Sequence, residues 1–174
     1  MNQDNKPTYI IVGGGAGGLE LATRLGDRLG RRGLARVVLV DQSPIHIWKP
    51  HLHEVAAGSL DIGLHRLEYA AQARWHGFEF QLGRMIGLDR ADRSITVAAV
   101  PDADGVPMLP RRVLRYTTLV LALGSTINTF NIPGAVEHAI ALDSPVEADR
   151  FRQKLIAACM RADARAERGE AHQE

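Results

Sequence analysis

Residues 10–26 read IIVGGGAGGLELATRLG, an apolar run that breaks into glycines and then resumes with apolar residues at helical spacing. Residues 9–12 are apolar without alternation, the pattern of a central parallel strand buried on both faces. Gly13, Gly14 and Gly15 end that strand. From Ala16 onward Leu19, Ala22, Thr23 and Leu25 recur with a helical period, until Gly30 and Gly33 mark a stop. Residues 37–40 form a second continuous apolar run, closed by Asp41, so the economical reading is a parallel βαβ start.

Gly13, Gly15 and Gly18 satisfy G-x-G-x-x-G between a strand and a helix, and an acid, Asp41, closes the next strand. Each glycine has a physical task in a dinucleotide-binding turn. Gly13 permits the tight turn, Gly15 lets the backbone approach a pyrophosphate, and Gly18 lets helix and strand pack closely. The helix N-terminus then faces the phosphates with its unsatisfied N–H groups and the positive end of its dipole. Asp41 is placed to accept from a ribose hydroxyl, and an acid there disfavours a 2′-phosphate. The competing reading is a plain glycine connector, with Asp41 capping the turn before "QSP".

Outward from this unit, Pro50 suits the first turn of a short helix over residues 51–57, ended by Gly58, and a second helix is expected over residues 65–75. Phe78 and Phe80 alternate with polar neighbours, as do Ile95 and Val97, so a strand leads into an antiparallel meander over residues 84–116. Residues 117–123 are a further apolar strand ending at Gly124. Ser144, Pro145 and Glu147 match a capping box with proline at the first helical position. The helix they open carries Phe151, Leu155, Ile156, Cys159 and Met160 as its apolar stripe, and a charged tail follows, either solvated helix or linker.

The chain of 174 residues with 45% hydrophobic content suits one domain with a true core. Lys and Arg number 21 against 20 Asp and Glu, a net charge of +1, so no global field draws it to nucleic acid or anionic lipid, and a small-molecule partner is expected. The single cysteine, Cys159, excludes an internal disulfide, a cysteine-based zinc site and a redox dithiol. Residues 1–7 lack the layout of a signal peptide, and every apolar run is broken long before ~18 residues, so a cytoplasmic location is expected. His46, His51, His53 and Glu54 suggest a metal cluster at first sight, but on a helix His51 and His53 point about 200° apart, which favours ordinary polar roles.

NAD and FAD exploit the same turn. An N-terminal fingerprint followed by a β-meander and a strand ending LALGS (residues 121–125) is the layout of flavoprotein disulfide-reductase-like domains, whose first fingerprint holds FAD. The stretches IHIWKPHLHEVAAGSLD (residues 45–61), HGFEFQLGRMIGLD (76–89) and TTLVLALGSTINTFNIPGA (117–135) resemble the N-terminal part of type II NADH:quinone oxidoreductases. These are the single-subunit, non-proton-pumping NADH dehydrogenases of respiratory membranes. The resemblance runs from residue 9 to at least residue 150, and KPHLHEVAAGSLD is its most specific piece.

The resemblance implies an α/β, Rossmann-like FAD-binding domain: a parallel sheet with an antiparallel β-meander over residues 1–150, then a helix and polar linker over 151–174. It puts Gly13, Gly15, Ala16, Gly17 and Gly18 on the FAD pyrophosphate, and Asp41, where many relatives have Glu, on the adenosine ribose. It also puts Met85, through its backbone, on the adenine, Lys49 and Pro50 toward the flavin ring, and Ala122, Leu123 and Gly124 along the flavin side. A solvated surface lysine is the other reading of Lys49. Trp48 pads either the flavin pocket or the core.

By the same resemblance the complete enzyme passes electrons from NADH through FAD to a membrane quinone, and attaches to the cytoplasmic face of the inner membrane through a C-terminal region. Family members continue with a second fingerprint for NADH, so this chain reads as a truncated portion, weak in flavin binding, inactive alone and prone to self-associate along an open sheet edge. NADH rather than NADPH is implied by the resemblance only. The alternatives are another two-dinucleotide flavoprotein, of the sulfide:quinone or ferredoxin reductase type, and a non-catalytic nucleotide-binding module.

Overall fold

The apolar runs become strands, in the order expected. The computed structural model describes residues 6–61, 63 and 66–167. Strand β1 (Thr8–Val12) runs through the glycine turn into α1 (Ala16–Leu25), which continues as a π-turn over Gly26–Gly30 and leads to β2 (Arg36–Asp41) and β3 (Ile45–His46). A 3-10 turn (Lys49–His51), with Pro50 in its first turn, opens α2 (Leu52–Ala57). Then follow β4 (Leu67–Glu68), α3 (Tyr69–His76), β5 (Glu79–Leu82), β6 (Met85–Asp89), β7 (Ser94–Val97), β8 (Val100–Pro101), β9 (Pro107–Leu109), β10 (Arg112–Arg115), β11 (Thr118–Leu121), α4 (Ala135–His138) and α5 (Pro145–Glu167). The chain divides into two compact units, Met1–His46 with Arg66–Ser125, and Ile47–His65 with Thr126–Glu174.

In the first unit, among the described residues, a four-stranded parallel sheet has the order β11-β1-β2-β5. Side chains alternate between its faces, and both faces are covered, which is why neither β1 nor β2 shows polar alternation in sequence. Ile11, Val37 and Leu39 point to one face, where they meet Ala22 of α1, Tyr69 and Ala73 of α3, and Phe78. Ile10, Val12, Val38 and Val40 point to the other, where they meet Ile95 and Val97 of the meander. The meander is a three-stranded antiparallel sheet, β10-β7-β6, with the β8-β9 hairpin inserted between β7 and β10.

Two expectations need correction. The helix expected over residues 65–75 begins at Tyr69, because Leu67 and Glu68 pair as a strand with His46 and Ile45; His65 lies outside the described residues. The strand expected over residues 117–123 stops at Leu121, although the backbone N–H of Ala122 still donates to the Val12 carbonyl at 2.8 Å. Gly30 proves to be a packing residue as well as a stop, since a Cβ there would collide with the Gly77 carbonyl.

The second unit packs Leu52, Val55 and Ala56 of α2 against Ala148 of α5, with Ile47, Leu60 and Leu142 around them. Gly58 ends α2 in the left-handed conformation, φ 78°, which an L side chain rarely adopts. The serine half of the capping box forms at α5, where the Ser144 Oγ accepts from the Glu147 N–H at 3.3 Å, while the Glu147 carboxylate accepts from the Ser144 hydroxyl at 2.9 Å and from the Asp143 N–H, one residue before the cap, at 3.0 Å. The stripe Phe151, Leu155, Ile156, Cys159 and Met160 has the expected spacing but is exposed. The charged tail is helical as far as Glu167, and residues 168–174 lie outside the described residues.

Because the atom facing Gly30 is backbone that cannot swing aside, Gly30→Ala should lower the unfolding free energy by about 1–3 kcal/mol in urea melts. Gly87→Ala, whose added methyl would lie in ordinary contact with Thr96, should change it by no more than about 0.5 kcal/mol.

Candidate functional site: the glycine turn at the carboxyl ends of the sheet

Strand β1 is followed by a helix leading to β2 on one side, while β11 lies on its other side, so the crevice outside the carboxyl ends of β1 and β11 is a topological switch point. The glycine turn sits there. The Gly13 N–H donates to the Val40 carbonyl at 2.8 Å, which fastens the turn to β2. Gly13 has φ 102°, and a Cβ on it would collide with the carbonyl of Ala122. A Cβ on Gly18 would collide with the carbonyl of Gly13. These two glycines therefore close the turn against β11 and against the first turn of α1.

Gly15 and Gly17 behave in the opposite way. A Cβ on either would meet no atom within 4 Å. Among the described residues nothing requires glycine at these two positions sterically, so their backbone surface stands open. Gly15 is the N-cap of α1, no side chain caps that end, and the first turn carries no acid. The helix N-terminus is thus open to an anion. This is the shape of a pyrophosphate cradle, and the residues fit one.

The remaining candidates distribute as follows. Ala122, Leu123 and Gly124 continue from β11 beside Gly13, with Ala122 half-buried and Leu123 and Gly124 exposed. Asp41 ends β2, and its oxygens serve two turns: Oδ2 accepts from the Gly14 N–H of the glycine turn at 2.6 Å, and Oδ1 from the Ser43 N–H of the turn after β2 at 2.8 Å. The Gly83 N–H donates to the Asp41 carbonyl at 2.7 Å, so Met85, two residues further on, enters β6 from the same end of the sheet and packs against the Val12 and Val40 face. Lys49 and Pro50 belong to the second unit, where the Lys49 Nζ stands 3.4 Å from the Asp143 Oδ1. Asp143 also accepts from the Ile127 N–H at 2.6 Å; that bond, with the lysine contact, holds its carboxyl below the usual carboxylate range. His51 and His53 both approach the Glu54 carboxylate, at 3.1 and 3.8 Å. Trp48 is 45% exposed.

Sequence reasoning missed the two groups behind the turn. The Tyr69 hydroxyl donates to the Gly14 carbonyl at 2.6 Å, and His46 Nδ1 lies 2.9 Å from the same oxygen. A carbonyl only accepts, so this contact places a proton on Nδ1. Both side chains are buried, and a Cβ on Gly14 would collide with the Tyr69 ring. The available signal was Gly14 itself, a glycine at a position where the fingerprint asks for none.

Burial, reinforced by the charge of Asp41, pushes the Tyr69 phenol well above its ordinary value. Once pH exceeds the ordinary tyrosine value the unfolded chain ionises at this residue and the native chain does not, so stability falls with further rise in pH. Titration of absorbance at 295 nm should show one late tyrosine that disappears in Tyr69→Phe. The variant should also lose less stability than the wild type between about pH 10 and 12.

Comparison with known proteins places this geometry. Residues 7–164 match the family described as pyridine nucleotide-disulphide oxidoreductase. A type II NADH:quinone oxidoreductase of Haemophilus influenzae is 44% identical over 147 residues, covering 84% of this chain and 33% of that protein. An alternative NAD(P)H-ubiquinone oxidoreductase C1 of Arabidopsis thaliana is 32% identical over 162 residues, covering 87% of this chain and 30% of that protein. The chain thus spans about a third of the length of these curated relatives. Among solved structures, NDH2 of Plasmodium falciparum in complex with RYL-552 superposes with a TM-score of 0.73 at 20% identity, over 91% of this chain and 30% of that one. The sulfide:quinone oxidoreductase of Aquifex aeolicus gives 0.68 at 20% identity, over 87% and 32%. Both share the fold. With most of its length matched and its glycine turn built as that fold requires, the chain belongs to the pyridine nucleotide-disulphide oxidoreductase family.

Proposed function

We propose that this chain is the FAD-binding portion of a flavoprotein that passes electrons from NADH to a membrane quinone. The observation that carries the reading is the division among the glycines: Gly13 and Gly18 are closed by the protein itself, while Gly15 and Gly17 face open space at an uncapped helix N-terminus. The relative from Haemophilus influenzae, a type II NADH:quinone oxidoreductase by name, supports the choice of reaction.

A bound FAD would supply the redox chemistry between nicotinamide and quinone. The chain supplies binding and orientation. Gly15, Ala16, Gly17 and Gly18 would present backbone N–H groups and the positive end of α1 to the pyrophosphate. Asp41 stands beside the turn, and each of its oxygens keeps a further lone pair for a ribose hydroxyl. Met85 would offer its backbone to the adenine. Ala122, Leu123 and Gly124 would line the flavin side, and Lys49 with Pro50 would lie toward the ring. No helix among the described residues is long and apolar enough to cross a membrane. We assign the whole protein to the cytoplasmic face of the inner membrane, attached peripherally.

Gly15→Val would place a branched side chain where the pyrophosphate backbone contact is proposed, in space that no other described residue approaches. Its far-UV spectrum and melting temperature should stay close to wild type while FAD affinity falls by about a hundredfold or more, the equivalent of about 2.7 kcal/mol. A folded Gly15→Val chain that binds FAD as tightly as wild type contradicts the assignment. In a protein carrying this chain within the length of its relatives, NADH should reduce the flavin in preference to NADPH, as stopped-flow absorbance would show. Preference for NADPH would refute the choice of nicotinamide.

A further inference from the structure

The Gly14–Gly15 peptide is held from behind. Its carbonyl oxygen receives the Tyr69 hydroxyl at 2.6 Å and His46 Nδ1 at 2.9 Å, one donor for each lone pair. The chain contains no cis peptide among the described residues, so the N–H of Gly15 points opposite to that carbonyl. Anchoring the oxygen inward therefore aims the Gly15 N–H outward, away from the buried pair. The flanking peptide is fixed as well, since the Gly14 N–H donates to Asp41 Oδ2 at 2.6 Å.

We propose that Tyr69 and His46 are positioning residues for the pyrophosphate of a bound dinucleotide, acting through the Gly14 carbonyl to aim and polarise the Gly15 N–H. The inference rests on reading the turn as the FAD site. Three consecutive glycines form the most pliable stretch a chain can have, and ordering them on binding would cost affinity. Two buried donors on one carbonyl remove that freedom before the ligand arrives. They also draw electron density toward the oxygen, which makes the N–H of the same amide a stronger donor. The arrangement accounts for glycine at position 14: the phenol ring occupies the space a side chain there would need. It also gives a use to the polar ends of the two side chains, the Tyr69 ring itself being part of the core beside Ile11 and Leu39. The Tyr69 hydroxyl and His46 Nδ1 are satisfied by the turn, and the turn is held by them.

The test compares the wild-type chain with Tyr69→Phe, His46→Leu, His46→Asn and the Tyr69→Phe/His46→Leu double variant, titrated with FAD, ADP and adenosine and followed by NMR. Tyr69→Phe keeps the ring and removes the hydroxyl, and the Asn amide N–H can stand in for Nδ1–H. Removing one donor should weaken FAD and ADP by about tenfold each and leave adenosine within about twofold. His46→Asn should retain most of the affinity that His46→Leu loses. In the ligand-free proteins the Gly15 amide proton should move upfield in Tyr69→Phe, more than that of Gly17. Equal losses for adenosine, or unchanged FAD and ADP affinity in the double variant, would overturn the proposal, because a general loss of structure does not distinguish the phosphates. A Gly15 resonance unmoved by Tyr69→Phe would overturn it without reference to any ligand. A wild-type chain that binds neither FAD nor ADP would instead overturn the functional reading, and the Gly15 resonance would still judge the clamp.

Discussion

Gly13 and Ala122 stand so close that neither the turn nor the end of β11 could exist with a side chain between them. That approach sets the geometry of everything nearby. It joins the carboxyl ends of β1 and β11, brings Gly18 of α1 down onto the Gly13 carbonyl, and leaves the outer surface of the turn, at Gly15 and Gly17, as bare backbone. A phosphate-binding surface of main-chain donors needs this kind of support, because a flexible loop of glycines has no preferred direction for its N–H groups.

Behind the turn, the sheet supplies rigidity from both faces. The α1 and α3 face and the meander face each bury residues from alternate positions of the same two strands, so a shift of one residue in register would break both cores at once. Tyr69 belongs to both systems. Its ring packs in the core with Ile11, Leu39 and Phe80, and its hydroxyl reaches the turn. The second unit is built differently, on a small cluster around Leu52 and Ala148 and a tie from Asp143 to Ile127 and Lys49.

Much of this was readable in the amino-acid order where the physics is local. The runs at residues 9–12 and 37–40 announced doubly buried strands, the spacing of Gly13, Gly15 and Gly18 announced the turn, and Ser144 with Glu147 announced the start of α5. What escaped was long-range. His46 and Tyr69 lie 32 and 55 residues from Gly14, and no periodicity connects them to it. The start of α3 shifted because Leu67 and Glu68 pair with β3, a ladder of two residues too short to leave a pattern. The stripe on α5 was legible as helical spacing, but spacing does not tell whether a face is covered, and here it is exposed. For Asp41 the capping reading is the one the contacts carry, since its Oδ1 accepts from the Ser43 N–H, and the ribose contact belongs to the proposed function.

The central claim is that the open backbone of the glycine turn is where a dinucleotide phosphate lies. The most direct measurement is the change in backbone amide resonances of the isotope-labelled chain on titration with FAD. The account predicts the largest movements at Gly15, Ala16, Gly17 and Gly18, with lesser ones at Asp41 and Gly124. Saturable movements gathered elsewhere on the chain, with the turn unmoved, would contradict it.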